Sequence, residues 1–149
     1  MLIRLVMPGV LLSLCVVVHA LVMTALLSRL TRIRRRTVVR FWPATWVLIR
    51  IALWILAAHL IEIAIWAGFL THQKVFSDFT TAFYFSSVTY TTVGYGDLVL
   101  PETWRLFAAV EGLTGILMCG WSTGVFFAVV STMYSGQQAD TKAVEGIRQ

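Results

Sequence analysis

Three runs of apolar residues, each long enough to cross a bilayer as a helix, organise this chain. They cover residues 5–27, 47–69 and 104–134. A hydrocarbon core of ~30 Å needs about 20 apolar residues in a helix, and each run supplies them. The first exceeds the apolar core of about 7–15 residues found in a signal peptide, and no clear small-residue cleavage site precedes Arg29, so we read it as a retained membrane helix. Between the second and third runs, Phe79, Ala82, Phe83 and Ser86 recur at helical spacing up to about Tyr90. Ser77 or Asp78 stands where a side-chain oxygen can cap that helix by accepting its free amide hydrogens. The helix is too short to span. It must enter the membrane and stop there, which is tolerated only where protein or a water-filled cavity surrounds the irregular backbone that follows.

The pattern predicts an all-α membrane protein with three transmembrane helices and one re-entrant helix per chain. A first helix occupies residues 1–28 and a basic loop residues 29–46. A second unit follows over 47–134, made of an outer helix 47–69, a short helix 78–90, a loop at 92–96 and a last helix 104–134. Residues 135–149 form a short polar tail. No internal repeat appears, so the chain carries one such unit.

Composition points the same way, because 58% of the residues are hydrophobic and only 13% are charged, against about a quarter charged in soluble domains. The formal net charge of +5 is not spread as a nucleic-acid surface. Arg29, Arg32, Arg34, Arg35, Arg36 and Arg40 fall in one stretch between two apolar runs. Such a cluster places its loop in the cytoplasm and favours contact with anionic lipid. The amino terminus is then outside, the re-entrant region opens outward, and the carboxyl tail is cytoplasmic. Phe41, Trp42 and Trp46 fall at the inner interface. A voltage sensor needs a basic residue at every third position within the membrane, and the first helix has only Arg4. Cys15 and Cys119 lie in apolar runs without a spacing motif and are expected as free thiols. No Cys/His set at metal-ligand spacing, nucleophile–base pair or phosphate-binding loop suggests an enzyme.

The short helix leads directly into Thr91-Thr92-Val93-Gly94-Tyr95-Gly96-Asp97. This run, between a capped short helix and a spanning one, resembles the potassium-channel pore-domain family over residues 47–134. In that family four such loops replace the water around a potassium ion with backbone carbonyls. A backbone whose successive carbonyls face one axis must alternate in handedness, and Gly94 and Gly96 supply positive φ without steric cost. The resemblance implies ion-binding rings from the carbonyls of Thr92, Val93, Gly94 and Tyr95, with the Thr92 hydroxyl at the inner end and Gly96 completing the filter. It implies K+ as the transported ion and a homotetramer, since one chain brings one filter. The carboxyl end of the short helix, with its partial negative charge, would face the cavity. Many family members carry paired tryptophans where this chain has Tyr84 and Phe85. The first of that pair bonds the aspartate after the filter, a role open here to the Tyr84 hydroxyl with Asp97. Val88 stands at a site that is glutamate in some relatives.

Two carboxylates lie inside the apolar runs. Glu62 and Glu111 are each about seven residues from the outer end of a helix, roughly 10 Å deep at ~1.5 Å per residue. An intramembrane acid costs ~2.5–3.5 kcal/mol on insertion scales and calls for a partner. We expect Glu62 or Glu111 to brace the back of the filter by hydrogen bonds to the short helix; otherwise each reaches headgroups or water. His59 shares the helical face of Glu62 and is expected as a satisfied interior histidine. The last helix, which lines the cavity by the resemblance, contains Gly112, Gly115, Gly120 and Gly124. Gly120 and Gly124 form a small-xxx-small pattern that lets helices approach closely. Gly115 and Gly120 are hinge candidates, and Thr123 and Phe127 are candidates for the cavity wall or inner gate.

The leading expectation is a potassium-selective channel subunit in the plasma membrane, by analogy a bacterial inner membrane. The alternatives are a silent subunit conducting only with another channel, a membrane interaction protein using the first helix to dock a sensor, and an uptake transporter, which usually carries several filter repeats in one chain.

Overall fold

The computed structural model describes residues 2–33 and 41–147. The expected lipid-contact residues Arg34, Arg35, Arg36 and Arg40 lie outside the described residues, as does the side chain of Arg32. Four α-helices follow one another: α1 Leu2–Ile33, α2 Phe41–His72, α3 Phe79–Tyr90 and α4 Arg105–Ile147, the last entered through a 3-10 turn at Glu102–Trp104. No strand occurs among the described residues. Three segments are long and apolar enough to cross a membrane, Val6–Arg29, Ala44–His72 and Glu102–Thr132.

The helices overrun the limits that hydrophobicity suggests. α1 continues past Arg29, α2 starts at Phe41, and α4 runs on through the stretch expected as a polar tail. A helix ends where its backbone is capped or broken, not where its side chains turn polar. Arg, Gln, Ala, Lys and Glu, which fill these stretches, are good helix formers. Pro43 falls in the first turn of α2, where its missing N–H leaves no helical bond unmade.

α1 runs parallel to α4 and antiparallel to α2, as two buried clusters show. One joins Leu11 and Cys15 of α1, Trp66 and Leu70 of α2, Phe85 and Tyr90 of α3, and Phe107 of α4. The other joins Met23 and Leu26 of α1, Ile51 of α2 and Val129 of α4. Lipid chains are as apolar as leucine, so close packing rather than escape from water holds such helices together. Phe107 illustrates it: its ring meets Trp66 edge-on at 4.9 Å and stacks on Phe69 at 5.1 Å, arrangements worth ~0.5–1.5 kcal/mol each beyond area burial. At the other end of α2 the Arg29 guanidinium lies 5.4 Å from the centre of the Trp54 ring. The first helix is therefore an integral wall of the bundle. α3 is wedged between α2 and α4, and the loop after it is presented at the edge of the bundle.

Candidate functional site

Of the two residues placed to cap α3, Asp78 does so. Its Oδ1 accepts from the Thr81 amide at 2.8 Å and its Oδ2 from the Thr81 hydroxyl at 2.8 Å. The Ser77 hydroxyl donates to the same carboxylate at 3.2 Å. The Thr81 amide, first among these donors, holds the Asp78 carboxyl below its ordinary range.

At the other end the chain curls tightly beneath the helix. The Thr91 amide donates to the Ser87 carbonyl at 3.1 Å, and Thr92 to Thr89 at 2.9 Å. Val93 and Gly94 both donate to the Val88 carbonyl, at 3.0 and 3.2 Å. From there φ is positive at every second residue: 60° at Thr92, 56° at Gly94 and 75° at Gly96. The glycines take this conformation without penalty. Thr92 does not, since a left-handed β-branched residue is a genuine outlier. Its amide bond to Thr89 is one of the ties that hold it there. Val93 and Tyr95 are 52% and 72% exposed, so a single chain leaves most of the loop uncovered.

Beyond the loop, the Tyr84 hydroxyl donates to Asp97 Oδ2 at 2.7 Å, and the Leu98 amide donates to Oδ1 at 3.0 Å. The Tyr84 hydroxyl is the main reason the Asp97 carboxyl sits below its ordinary range. Phe85, next to Tyr84, instead faces inward and packs against Phe76 at 5.2 Å.

Behind the loop lies a buried polar cluster drawn from all four helices. Glu62 of α2 accepts from the hydroxyl of Tyr90, the last residue of α3. Its other oxygen lies 2.8 Å from Nδ1 of His19 on α1. His59 Nδ1 is 3.2 Å from the Tyr90 hydroxyl and 3.4 Å from Glu62. Ser122 Oγ of α4 closes the circuit, 3.1 Å from Nε2 of each histidine. Glu62 thus reaches the short helix directly.

Glu111 is buried facing the Ser86 hydroxyl of α3, and neither of its oxygens makes a hydrogen bond of full geometry within the chain.

α4 is unbroken from Arg105 to Ile147. A Cβ on Gly115 would stand 1.8 Å from the Tyr90 carbonyl oxygen, so this glycine has a packing reason to be there. A Cβ on Gly112 would stand 3.5 Å from the Thr89 carbonyl oxygen, an ordinary contact, and one on Gly120 or Gly124 would meet nothing within 4 Å. Thr123 and Phe127 are exposed in the single chain, Phe127 by 71%. Cys15 is buried and Cys119 exposed, both free.

Residues 51–132 match the family model described as Ion channel. The chain belongs to this ion-channel family. The matched span takes in most of α2, all of α3 and the apolar part of α4, and it contains residues 91–97, on which the potassium-channel resemblance rests. α1 is the additional helix of this channel. No solved structure matches the chain.

Three members of the channel's buried cluster, His19, Tyr90 and Ser122, are not singled out by sequence reasoning. His19 carried a signal: an ionisable residue inside an apolar run normally has a partner and a task. Tyr90 and Ser122 are ordinary at their positions and become functional candidates only through packing. His19, His59 and Glu62 also bring three potential ligand atoms within 4.8 Å of one another, from helices too far apart in sequence for any spacing rule. Each of those residues also lies within hydrogen-bond distance of a neighbour in the cluster.

Proposed function

We propose that this ion channel is potassium-selective and conducts K+ passively as a homotetramer, with Thr92, Val93, Gly94, Tyr95 and Gly96 as its filter. The observation that carries the reading is the alternation of φ at Thr92, Gly94 and Gly96 directly after a membrane-inserted helix. Backbone of alternating handedness can turn consecutive carbonyls toward one axis, and carbonyl rings are what replaces the hydration of a potassium ion. One chain offers one such strand, and a ring needs four. The large exposure of Val93, Tyr95 and Phe127 fits surfaces that other copies cover. The basic segment over 29–40 is proposed as cytoplasmic and in contact with anionic lipid, which sets the amino terminus outside and the carboxyl end inside, in a plasma membrane.

Potassium flux into liposomes containing the purified protein, compared with sodium and challenged with barium, tests the reading. Barium-sensitive flux with strong preference for potassium is expected. Equal flux of both ions overturns selectivity. Absence of flux from an intact tetramer favours a subunit that needs a partner.

A further inference from the structure

We propose that the buried cluster is a proton-binding site: a ring of five hydrogen bonds that is complete only when it holds one proton beyond its neutral histidines, hydroxyls and ionised carboxylate. Its members run in order His19, Glu62, Tyr90, His59, Ser122 and back to His19.

Each of the five contacts needs one hydrogen between its two heavy atoms. A neutral imidazole brings one N–H, each hydroxyl brings one, and an ionised carboxylate brings none. Two histidines, Tyr90 and Ser122 therefore supply four protons for five bonds. If Ser122 donates to His59, then His19 donates to Ser122 and leaves a bare Nδ1 facing a carboxylate oxygen. If Ser122 donates to His19, the bare nitrogen is His59 Nδ1, facing Tyr90 and Glu62. Either way one contact sets lone pair against lone pair. A fifth proton closes the ring, whether it is placed on a histidine or on Glu62.

The same proton settles the charge. With four protons the ring is a net anion in the membrane interior; with five it is neutral overall, the state that a low-dielectric site favours. Among the described residues, the titratable groups near it are Cys15 from α1 and Cys119 from α4, both close enough to interact with Glu62, and Glu111 of α4, which reaches Cys15; the Trp121 ring of α4 lies 5.2 Å from His19. His19 and Glu62 are fully buried. His59, with 14% of its side chain accessible, is the member with an edge outside the cluster, and the departing proton leaves there. Because Tyr90 immediately precedes the turn into residues 92–96, the ring ties α1 and α4 to the base of the filter loop. Losing the proton opens one contact and places a net negative charge behind that loop.

Glu62→Gln separates this from a merely structural cluster. A carboxamide brings its own N–H, so the ring has five hydrogens at every pH and nothing to release. Two readouts apply, both on the full-length protein with a metal chelator present throughout. The first is infrared difference spectroscopy with isotope-labelled histidine and glutamate between about pH 5 and about pH 10, a range spanning the ordinary values of both residue types. Wild type is expected to lose one proton per chain more than Glu62→Gln, with histidine or carboxyl signatures. The second is potassium flux over the same range: wild-type flux should fall about fivefold or more at alkaline pH, the equilibrium effect of one lost hydrogen bond, and Glu62→Gln flux should stay flat. Only the flux readout rests on the channel reading, so a protein silent at every pH would count against that reading while the spectra still decide the ring. A wild-type signal no larger than that of Glu62→Gln, or a flux profile that Glu62→Gln leaves unchanged, overturns the proposal. Should Glu62→Gln not fold, Ser122→Ala takes its place: it removes one proton and two contacts, leaves three hydrogens for three bonds, and should release one proton fewer than wild type.

Discussion

Gly115 and Tyr90 touch where the long α4 helix passes the end of the re-entrant helix, so closely that a Cβ on the glycine would lie 1.8 Å from the tyrosine's carbonyl oxygen and 2.7 Å from its carbonyl carbon. Backbone atoms cannot swing aside as a side-chain tip can. Gly115→Ala must push α4 away from α3 or twist the turn that leads into residues 92–96. Overpacking of a tight core costs ~1–3 kcal/mol, and we expect the upper end here, with loss of ion flux. Gly120→Ala, on the same helix with open space around it, should be neutral or gain up to about 1 kcal/mol from helix propensity. Thermal unfolding of the two purified variants checks the contrast. Assembly loss in Gly120→Ala, with its fold intact, would mean that another copy packs against that position.

The bond from Tyr84 to Asp97 gives a pH dependence with a definite sign. The carboxyl is depressed in the folded chain, chiefly by the Tyr84 hydroxyl and further by the Leu98 amide. Its contribution is therefore present above the ordinary carboxyl pKa of 3.8 and fades as pH falls through the lower folded value. Tyr84→Phe removes the donor but keeps the ring. Flux measured against external pH should then decline at a higher pH than in wild type. Identical acid limbs in the two proteins would show that this bond does not support the loop.

Glu62 and Glu111 are both buried carboxyls, yet their removal should differ. Glu62→Leu strips partners from His19 and Tyr90 and leaves them unsatisfied, at a cost of roughly 2–5 kcal/mol. Glu111→Leu leaves behind no broken hydrogen bond in the chain, and apolar replacement of such a group is expected within ~1 kcal/mol of wild type or stabilising. Denaturation midpoints of the two variants in one detergent decide the matter. Equal damage from both would require a partner for Glu111 supplied by another copy.

How far the sequence discloses this architecture depends on the range of the interaction. The three spans and the re-entrant helix follow from local periodicity and length, and the loop from the order Thr92-Val93-Gly94-Tyr95-Gly96 itself. The helix ends were harder to read, because Arg29 and the stretch after Tyr134 turn polar without any residue that stops a helix. The positive φ at Thr92 is invisible in a β-branched residue. Most hidden of all was the ring: the sequence separations of 43 from His19 to Glu62 and 103 from His19 to Ser122 are bridged only by the packing of α1 into the bundle. The same packing explains why α1, which looks like an appendage to a two-helix pore unit, bears on the site at all.

The start of α3 offers a final measurement, away from the membrane interior. Asp78 accepts both the Thr81 amide and its hydroxyl, so it orders the first turn of the helix that carries the loop. Asn at this position can still accept the amide hydrogen, whereas Ala cannot. Asp78→Asn should melt near wild type at neutral pH and Asp78→Ala clearly below it. The carboxyl is depressed in the folded chain, first by the Thr81 amide, so its advantage is complete above its ordinary pKa of 3.8 and disappears as acid protonates it below that. The wild-type and Asp78→Asn melting curves should therefore converge on acidification. If Asp78→Ala melts with wild type at neutral pH, the cap contributes nothing to the fold, and the first turn of α3 is held by packing between α2 and α4 alone.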